Sequence, residues 1–160
     1  MSIPTATGDE LAGVVDLFGA LTRAELEAAL GELAFKRGEE VDEDAIDAAV
    51  DAAIDDYYLV AVERDDETLL APGPVAFPTL PDGADDLPHI MDAPNRDVDD
   101  EGVVEATERR LRADAARAVD ADDTDRIEHL LDVSYDLETW GATDVSDVRG
   151  RLDDALENRN

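Results

Sequence analysis

The chain has 160 residues, room for one ordinary domain or two very small ones, and its 43 acids against 13 bases leave a formal net charge of -30. Hydrophobic residues make up 44%, much of it alanine, and there is no cysteine, which excludes disulfides and thiolate metal sites. No stretch approaches the roughly 20 apolar residues of a membrane span, and Met1-Ser2-Ile3-Pro4-Thr5 carries neither the basic region nor the apolar run of a secretion signal, so a cytoplasmic protein is expected.

The first helix is predicted to begin near Thr7. Thr7 and Glu10 have the spacing of a capping box, in which hydroxyl and carboxylate each close a free backbone N–H. Leu11, Val14, Val15 and Phe18 then form one apolar stripe, and Gly19-Ala20-Leu21 breaks the run. A second capping box, Thr22 with Glu25, starts the next helix, whose stripe is Leu26, Ala29, Leu30 and Leu33 and whose stop is Gly38. Asp42 caps the third helix, with Ile46, Ala49, Val50, Ala53, Ile54 and Tyr57 on one face. At about 100° per residue the opposite face carries Asp44, Asp47, Asp51 and Asp55. Tyr58-Leu59-Val60-Ala61-Val62 reads as a strand, Arg64-Asp65-Asp66-Glu67 as a turn and Thr68-Leu69-Leu70-Ala71 as the returning strand.

Six of the seven prolines fall between Pro72 and Pro94, interleaved with Val75, Phe77, Leu80, Leu87, Ile90 and Met91. A flexible linker lacks such apolar content. The segment is read as an extended strap packed on the first half, with Phe77 and Leu87 buried, rather than a loose connection. Three further helices are predicted: about 101–119 on Val104, Thr107, Leu111, Ala115 and Ala118; about 123–139 on Ile127, Leu130, Leu131, Ser134 and Tyr135; and a last one on Val145, Val148, Leu152 and Leu156.

Three helices followed by a hairpin is the element order of a winged helix-turn-helix. The run from Leu17-Phe18-Gly19-Ala20-Leu21-Thr22-Arg23-Ala24-Glu25-Leu26 to Leu70-Ala71-Pro72-Gly73-Pro74 resembles the winged-helix modules common in haloarchaea. With Phe77-Pro78 and Asp86-Leu87-Pro88-His89-Ile90 added, residues 9–95 resemble a haloarchaeal family of unknown function. The resemblance implies a fold and no activity. High aspartate, abundant alanine and a single lysine, Lys36, point the same way, to a protein adapted to concentrated salt; the alternative is an acidic mesophilic protein. The expected fold is mainly α with a small β-hairpin (α+β): a winged-helix module over 1–72, a Pro-rich extended strap over 73–99 and a three-helix segment over 100–158, packed on the first half as one domain.

Catalytic signatures are missing: there is no phosphate-binding glycine loop, no HExxH and no GxSxG. Neither an enzyme nor a cofactor is expected. Asp120-x-Asp122-x-Thr124 begins like a calcium loop, but Asp125 stands where glycine is wanted and Leu131 where a bidentate Glu is needed. His89, among Asp85, Asp86 and Asp92, has the residue types of a divalent-metal site, yet a His that pins a turn is the preferred reading, so no metal is expected. His129 falls on a polar helix side and is read as solvated. Arg109, Arg110, Arg112 and Arg117 form the one local basic cluster. The pairs Glu105–Arg109, Glu108–Arg112 and Arg110–Asp114 are four apart, and Asp114 also reaches Arg117, so a solvated ion-pair face is preferred over a binding patch.

Two functions compete. A DNA-binding transcriptional regulator has the fold in its favour, which is an associational warrant only. Concentrated salt removes counterion release: with about six phosphate contacts, the change from 0.1 to 3 M costs roughly seven decades of affinity. Base contacts would then have to carry recognition, and the third helix offers Asp44, Asp47, Asp51 and Asp55 but none of the Arg, Lys, Asn or Gln that read guanine and adenine. Arg23, Lys36 and Arg37 on the second helix and Arg64 near the wing tip are the candidate nucleic-acid contacts. A protein-interaction or scaffold module, with the aspartate face as its partner surface, is the preferred reading. Phe35, opposite its helix's apolar stripe, is read as packed under the strap or wing, with an exposed partner anchor as the alternative.

Overall fold

The computed structural model describes residues 7–81, 83–91 and 93–158. It divides into two compact units between Asp99 and Asp100. In chain order the first holds α1 (Gly8–Phe18), α2 (Arg23–Lys36), α3 (Glu43–Asp55), β1 (Leu59–Arg64), β2 (Glu67–Pro72), a short 3-10 turn (Ala84–Asp86) and α4 (Leu87–Ile90). The second holds α5 (Asp100–Asp120), α6 (Thr124–Gly141) and α7 (Ser146–Glu157). The protein is therefore mainly helical with one antiparallel hairpin, and no helix among the described residues is long and apolar enough to cross a membrane.

Local chemistry fixes the helix ends of the first unit. Both capping boxes form: the Thr7 and Thr22 hydroxyls accept from the backbone N–H of Glu10 and Glu25, whose carboxylates accept in return. The Asp42 carboxylate accepts from the N–H groups of Asp44 and Ala45. α2 stops as predicted at Gly38, φ +70°, with the Glu39 and Gly38 N–H groups donating to the carbonyls of Ala34 and Phe35 in a Schellman motif. α3 ends in the same motif, but with Tyr57 at the left-handed position, φ +67°, and the Tyr58 and Tyr57 N–H groups on the carbonyls of Ala53 and Ile54. Tyr57 thus lies past the helix rather than on its face, although its side chain is fully buried.

β1 and β2 pair from Leu59–Pro72 to Arg64–Glu67, joined by Asp65 and Asp66, both at positive φ. Two left-handed central residues make a primed turn, whose twist matches that of the strands. Leu21, in the α1–α2 break, exchanges two hydrogen bonds with Leu70 at 3.1 and 2.7 Å and so lies beside β2. The core gathers around α1, where Leu11, Val14, Val15 and Phe18 meet Leu26 and Leu30 of α2, Val50 of α3 and Leu59 and Leu70 of the hairpin.

The strap meets α1 near both ends of that helix, where it docks by main chain. The Phe77 N–H donates to the Asp9 carboxylate at 2.9 Å, the Thr79 N–H to the Asp9 carbonyl at 3.0 Å and the Arg96 N–H to the Phe18 carbonyl at 2.8 Å. Leu87, Ala84 and Pro81 are buried, but Phe77 is 80% exposed, against the expectation that it packs inward. The strap meets α1 by backbone instead: the Thr79 carbonyl abuts Gly13 and the Phe77 N–H bonds Asp9. Nor is the strap extended throughout, because residues 84–90 are helical.

Arg96 then fastens the strap. Its guanidinium donates to both Glu25 oxygens, at 2.6 and 3.3 Å, and to the Ala20 carbonyl at 3.3 Å. The Arg96 hydrogen bond holds the Glu25 carboxyl below the usual carboxylate range, against burial, which raises it; the Thr22 N–H adds to the lowering. A depressed folded-state value means that the pair stabilises at neutral pH and loses that contribution as pH falls through it. Acidification below about pH 4 should therefore speed proteolysis of residues 90–99 in the wild type, while Glu25→Gln should cleave at an already raised rate that acid changes little.

In the second unit α5, α6 and α7 pack on one another through Val103, Leu111, Ile127, Leu130, Leu137, Val148 and Leu152. α6 buries Val133 and Leu137 where Leu131 and Tyr135 were expected. Leu131 is half-buried, and Tyr135 is exposed with the Arg149 guanidinium 4.3 Å from its ring centroid. At about 100° per residue the buried residues still form one stripe, but it is turned toward Val133 and Leu137 and away from Leu131 and Tyr135, an orientation set by where α5 and α7 pack. Asp114 is buried and gathers Arg110 at 3.4 Å, Arg117, and Arg126 of α6 at 3.4 Å. Asp114→Ala should leave three guanidinium groups without that acceptor and lower unfolding stability by about 1–3 kcal/mol. Urea unfolding in concentrated salt measures it, with Asp114→Asn retaining part of the loss.

Candidate interaction surface

The α3 face predicted from sequence is where it was expected: Asp44, Asp47, Asp51 and Asp55 are all exposed. It is not, however, separate from the candidate nucleic-acid contacts. Arg23, at the start of α2, reaches across to α3 with Nη2 at 2.6 Å from Asp47 and Nη1 at 2.9 Å from Asp51. Its Nη2 also donates to the Asp47 carbonyl at 3.1 Å, and its Nε to Glu27 at 3.1 Å. Burial lowers the affinity of this guanidinium for its proton, but the hydrogen bonds to Asp47, Asp51 and Glu27 outweigh that and raise it.

The other candidate cations are held in similar ways. Lys36 donates to the Gly83 carbonyl at 3.0 Å and pairs with Asp86 at 3.2 Å. Arg64 donates to the Asp97 carbonyl and lies 3.9 Å from Asp65. Arg37 is the exposed C-cap of α2. The first 99 residues contain five basic side chains, Arg23, Lys36, Arg37, Arg64 and Arg96, and the contacts above bind four of them to the protein's own carboxylates and carbonyls.

His89 is exposed on α4; Asp92, its sequence neighbour, lies outside the described residues. His129 is only half-exposed, with Nε2 shut off from solvent, rather than fully solvated. Among the described residues no group of three or more His, Asp or Glu side chains is arranged to hold a metal ion. In the arginine cluster Arg110–Asp114 and Asp114–Arg117 form as the spacing predicts. Arg112 instead reaches Asp147 of α7 at 2.6 and 3.3 Å, while Glu108 accepts from the Thr143 hydroxyl. The Arg112 hydrogen bond lowers the Asp147 carboxyl, and the Ser146 N–H lowers Asp144. Burial, with the Asp132 charge behind it, raises Asp136.

A groove between α2 and α3 is a feature not expected above. It has a volume of about 580 Å³, and its walls are Ala24, Ala28 and Gly31 of α2 facing Val41 and Ile46. Glu27, Glu43, Asp44 and Asp47 form its rim. A signal was nonetheless present: Ala24, Ala28, Gly31 and Phe35 follow one another at i, i+4, i+7 and i+11, a second apolar stripe opposite the buried one. Phe35 is 75% exposed at its end, and is not packed under strap or wing.

No curated protein and no solved structure matches the chain. A family model described as a family of unknown function (DUF7109) matches residues 9–157, spanning both compact units. The chain belongs to that family.

Proposed function

We propose that the protein is a non-enzymatic protein-interaction or scaffold module built on a winged helix and working in the cytoplasm of a salt-adapted archaeon. The observation that carries this reading is the Arg23 clamp. The helix that would enter the major groove presents Asp44, Asp47, Asp51 and Asp55, and the nearest cation is already held by two of them. Phosphate contacts need cations that can leave their present partners, and base readout needs donors that this face lacks. The winged-helix reading itself is supported by the helix order, the hairpin with its primed turn and the Leu21–Leu70 bridge beside it. Those same features favour the alternative, a DNA-binding transcriptional regulator, which would have to use α2.

The experiment is selection of bound fragments from genomic DNA in about 2 M potassium chloride, a salt level at which only specific contacts survive. The expected result is no reproducible enrichment for the wild type or for Asp47→Asn/Asp51→Asn, which releases Arg23. Enrichment of one sequence by the wild type would overturn the reading. Enrichment lost on replacing Arg23, Lys36 and Arg37, yet kept in the aspartate variant, would place the DNA contact on α2.

A further inference from the structure

We propose that the groove between α2 and α3 is the docking site for a basic amphipathic helix of a protein partner. The inference rests on the interaction-module reading and gives it a place and a partner chemistry. α2 has two apolar faces. One, centred on Leu26, Leu30 and Leu33, is buried in the core. The other, Ala24, Ala28, Gly31 and Phe35, turns away from it, and the first three face Val41 and Ile46 across the groove. A helix that needs only one face for its own core has no structural use for the second.

The shape suits a helix. The stripe from Ala24 to Phe35 spans about 16 Å, or three helical turns. Its first three residues are small, so a partner's backbone can approach closely, and its last is an exposed ring that offers a large apolar contact. Apolar anchors at i, i+3, i+4 and i+7 laid into such a trough are the common mode of helix recognition. Arg23 bridges Glu27 and Asp47 and so closes the trough at the Ala24 end.

Charge decides the occupant. Glu27, Glu43, Asp44 and Asp47 leave the rim negative even after Arg23 is counted. A second copy of this chain would bring a net charge of -30 to that rim, and nucleic acid would bring phosphate. A helix with leucine-like side chains on one face and lysine or arginine along both edges satisfies floor and rim together.

The probe is a fluorescein-labelled peptide of roughly 18 residues, leucine on one face and lysine on the other, long enough to be helical. The control replaces its lysines with glutamate. Anisotropy is followed from about 0.5 to 2 M potassium chloride with the full chain. The lysine helix should bind, weakening as salt rises, and the glutamate helix should not. Ala28→Leu and Gly31→Leu fill the floor without altering charge, and each should weaken binding about tenfold or more. The Gly31 position has only Val41 Cγ1 nearby, at 3.7 Å, so the added side chain enters the groove and not the core; circular dichroism checks that the fold is kept. Phe35→Ala, at an exposed position, should weaken binding in the same direction.

Equal binding of both peptides, or binding untouched by the two leucine variants, would overturn the proposal, the latter by showing diffuse attraction to an acidic surface. Failure of the lysine helix together with no DNA enrichment in the selection above would remove the groove and leave the interaction-module reading standing. DNA enrichment would remove that reading itself.

Discussion

In dilute buffer the protein should show no cooperative thermal transition, and one should emerge as potassium chloride rises past about 0.5 M. The cause is the spacing of its carboxylates. Asp44, Asp47, Asp51 and Asp55 succeed one another at three and four residues on α3, which puts neighbouring Cβ atoms about 5–6 Å apart. That is inside the Debye length of about 10 Å at 0.1 M salt and well outside the 3 Å at 1 M. The same holds across a surface with a net charge of -30, part of which Arg23 offsets at Asp47 and Asp51. Circular dichroism melts across a salt series give the test. A full, salt-independent transition in dilute buffer would show that the core carries the acidic surface without screening, and the salt-adapted reading would fall.

The second large effect is expected at Gly13. This residue is buried in the middle of α1, and a Cβ built on it would lie 2.1 Å from the carbonyl oxygen of Thr79 and 2.5 Å from its carbon. Both are main-chain atoms, which cannot step aside as a side-chain end can. Gly13→Leu must therefore lift the strap from α1. The Thr79 and Phe77 hydrogen bonds to Asp9 go with it, and the Arg96–Glu25 pair further along is strained. Overpacking of this kind costs about 1–3 kcal/mol alone, and the lost strap contacts bring the total to roughly 3 kcal/mol or more. The first unit should melt roughly 10 °C lower, and limited proteolysis in concentrated salt should cut within residues 73–99 where the wild type resists. An unchanged melt with an unchanged cleavage pattern would mean that the strap does not bear on Gly13.

The local elements were legible in the sequence because their causes lie within a few residues. A capping box is complete in four positions, so Thr7–Glu10 and Thr22–Glu25 announced two helix starts. Asp42 and Gly38 did the same for a cap and a stop. The stripes of α1 and α2 followed because each meets the core with one face at helical period. The candidate surface was legible in part: the aspartates of α3 are exposed as their phase required.

What tertiary structure alone decided involves partners far apart in the chain, or contacts made by backbone. Arg96 and Glu25 are 71 residues apart, Arg23 and Asp47 are 24 apart, and no local period links either pair. Phe77 reads as a core residue beside its prolines, yet the strap meets α1 through main-chain groups, which hydropathy does not register. Tyr135 lost its place to Val133 and Leu137 because the stripe that α6 buries is turned toward them, and its direction is set by where α5 and α7 pack. The second apolar stripe of α2 was visible as spacing, but whether it was core or surface depended on where α3 came to lie. Side-chain type along a chain records how much can be buried; which face meets which is set by the packing of whole elements, and that left Ala24, Ala28, Gly31 and Phe35 on the outside.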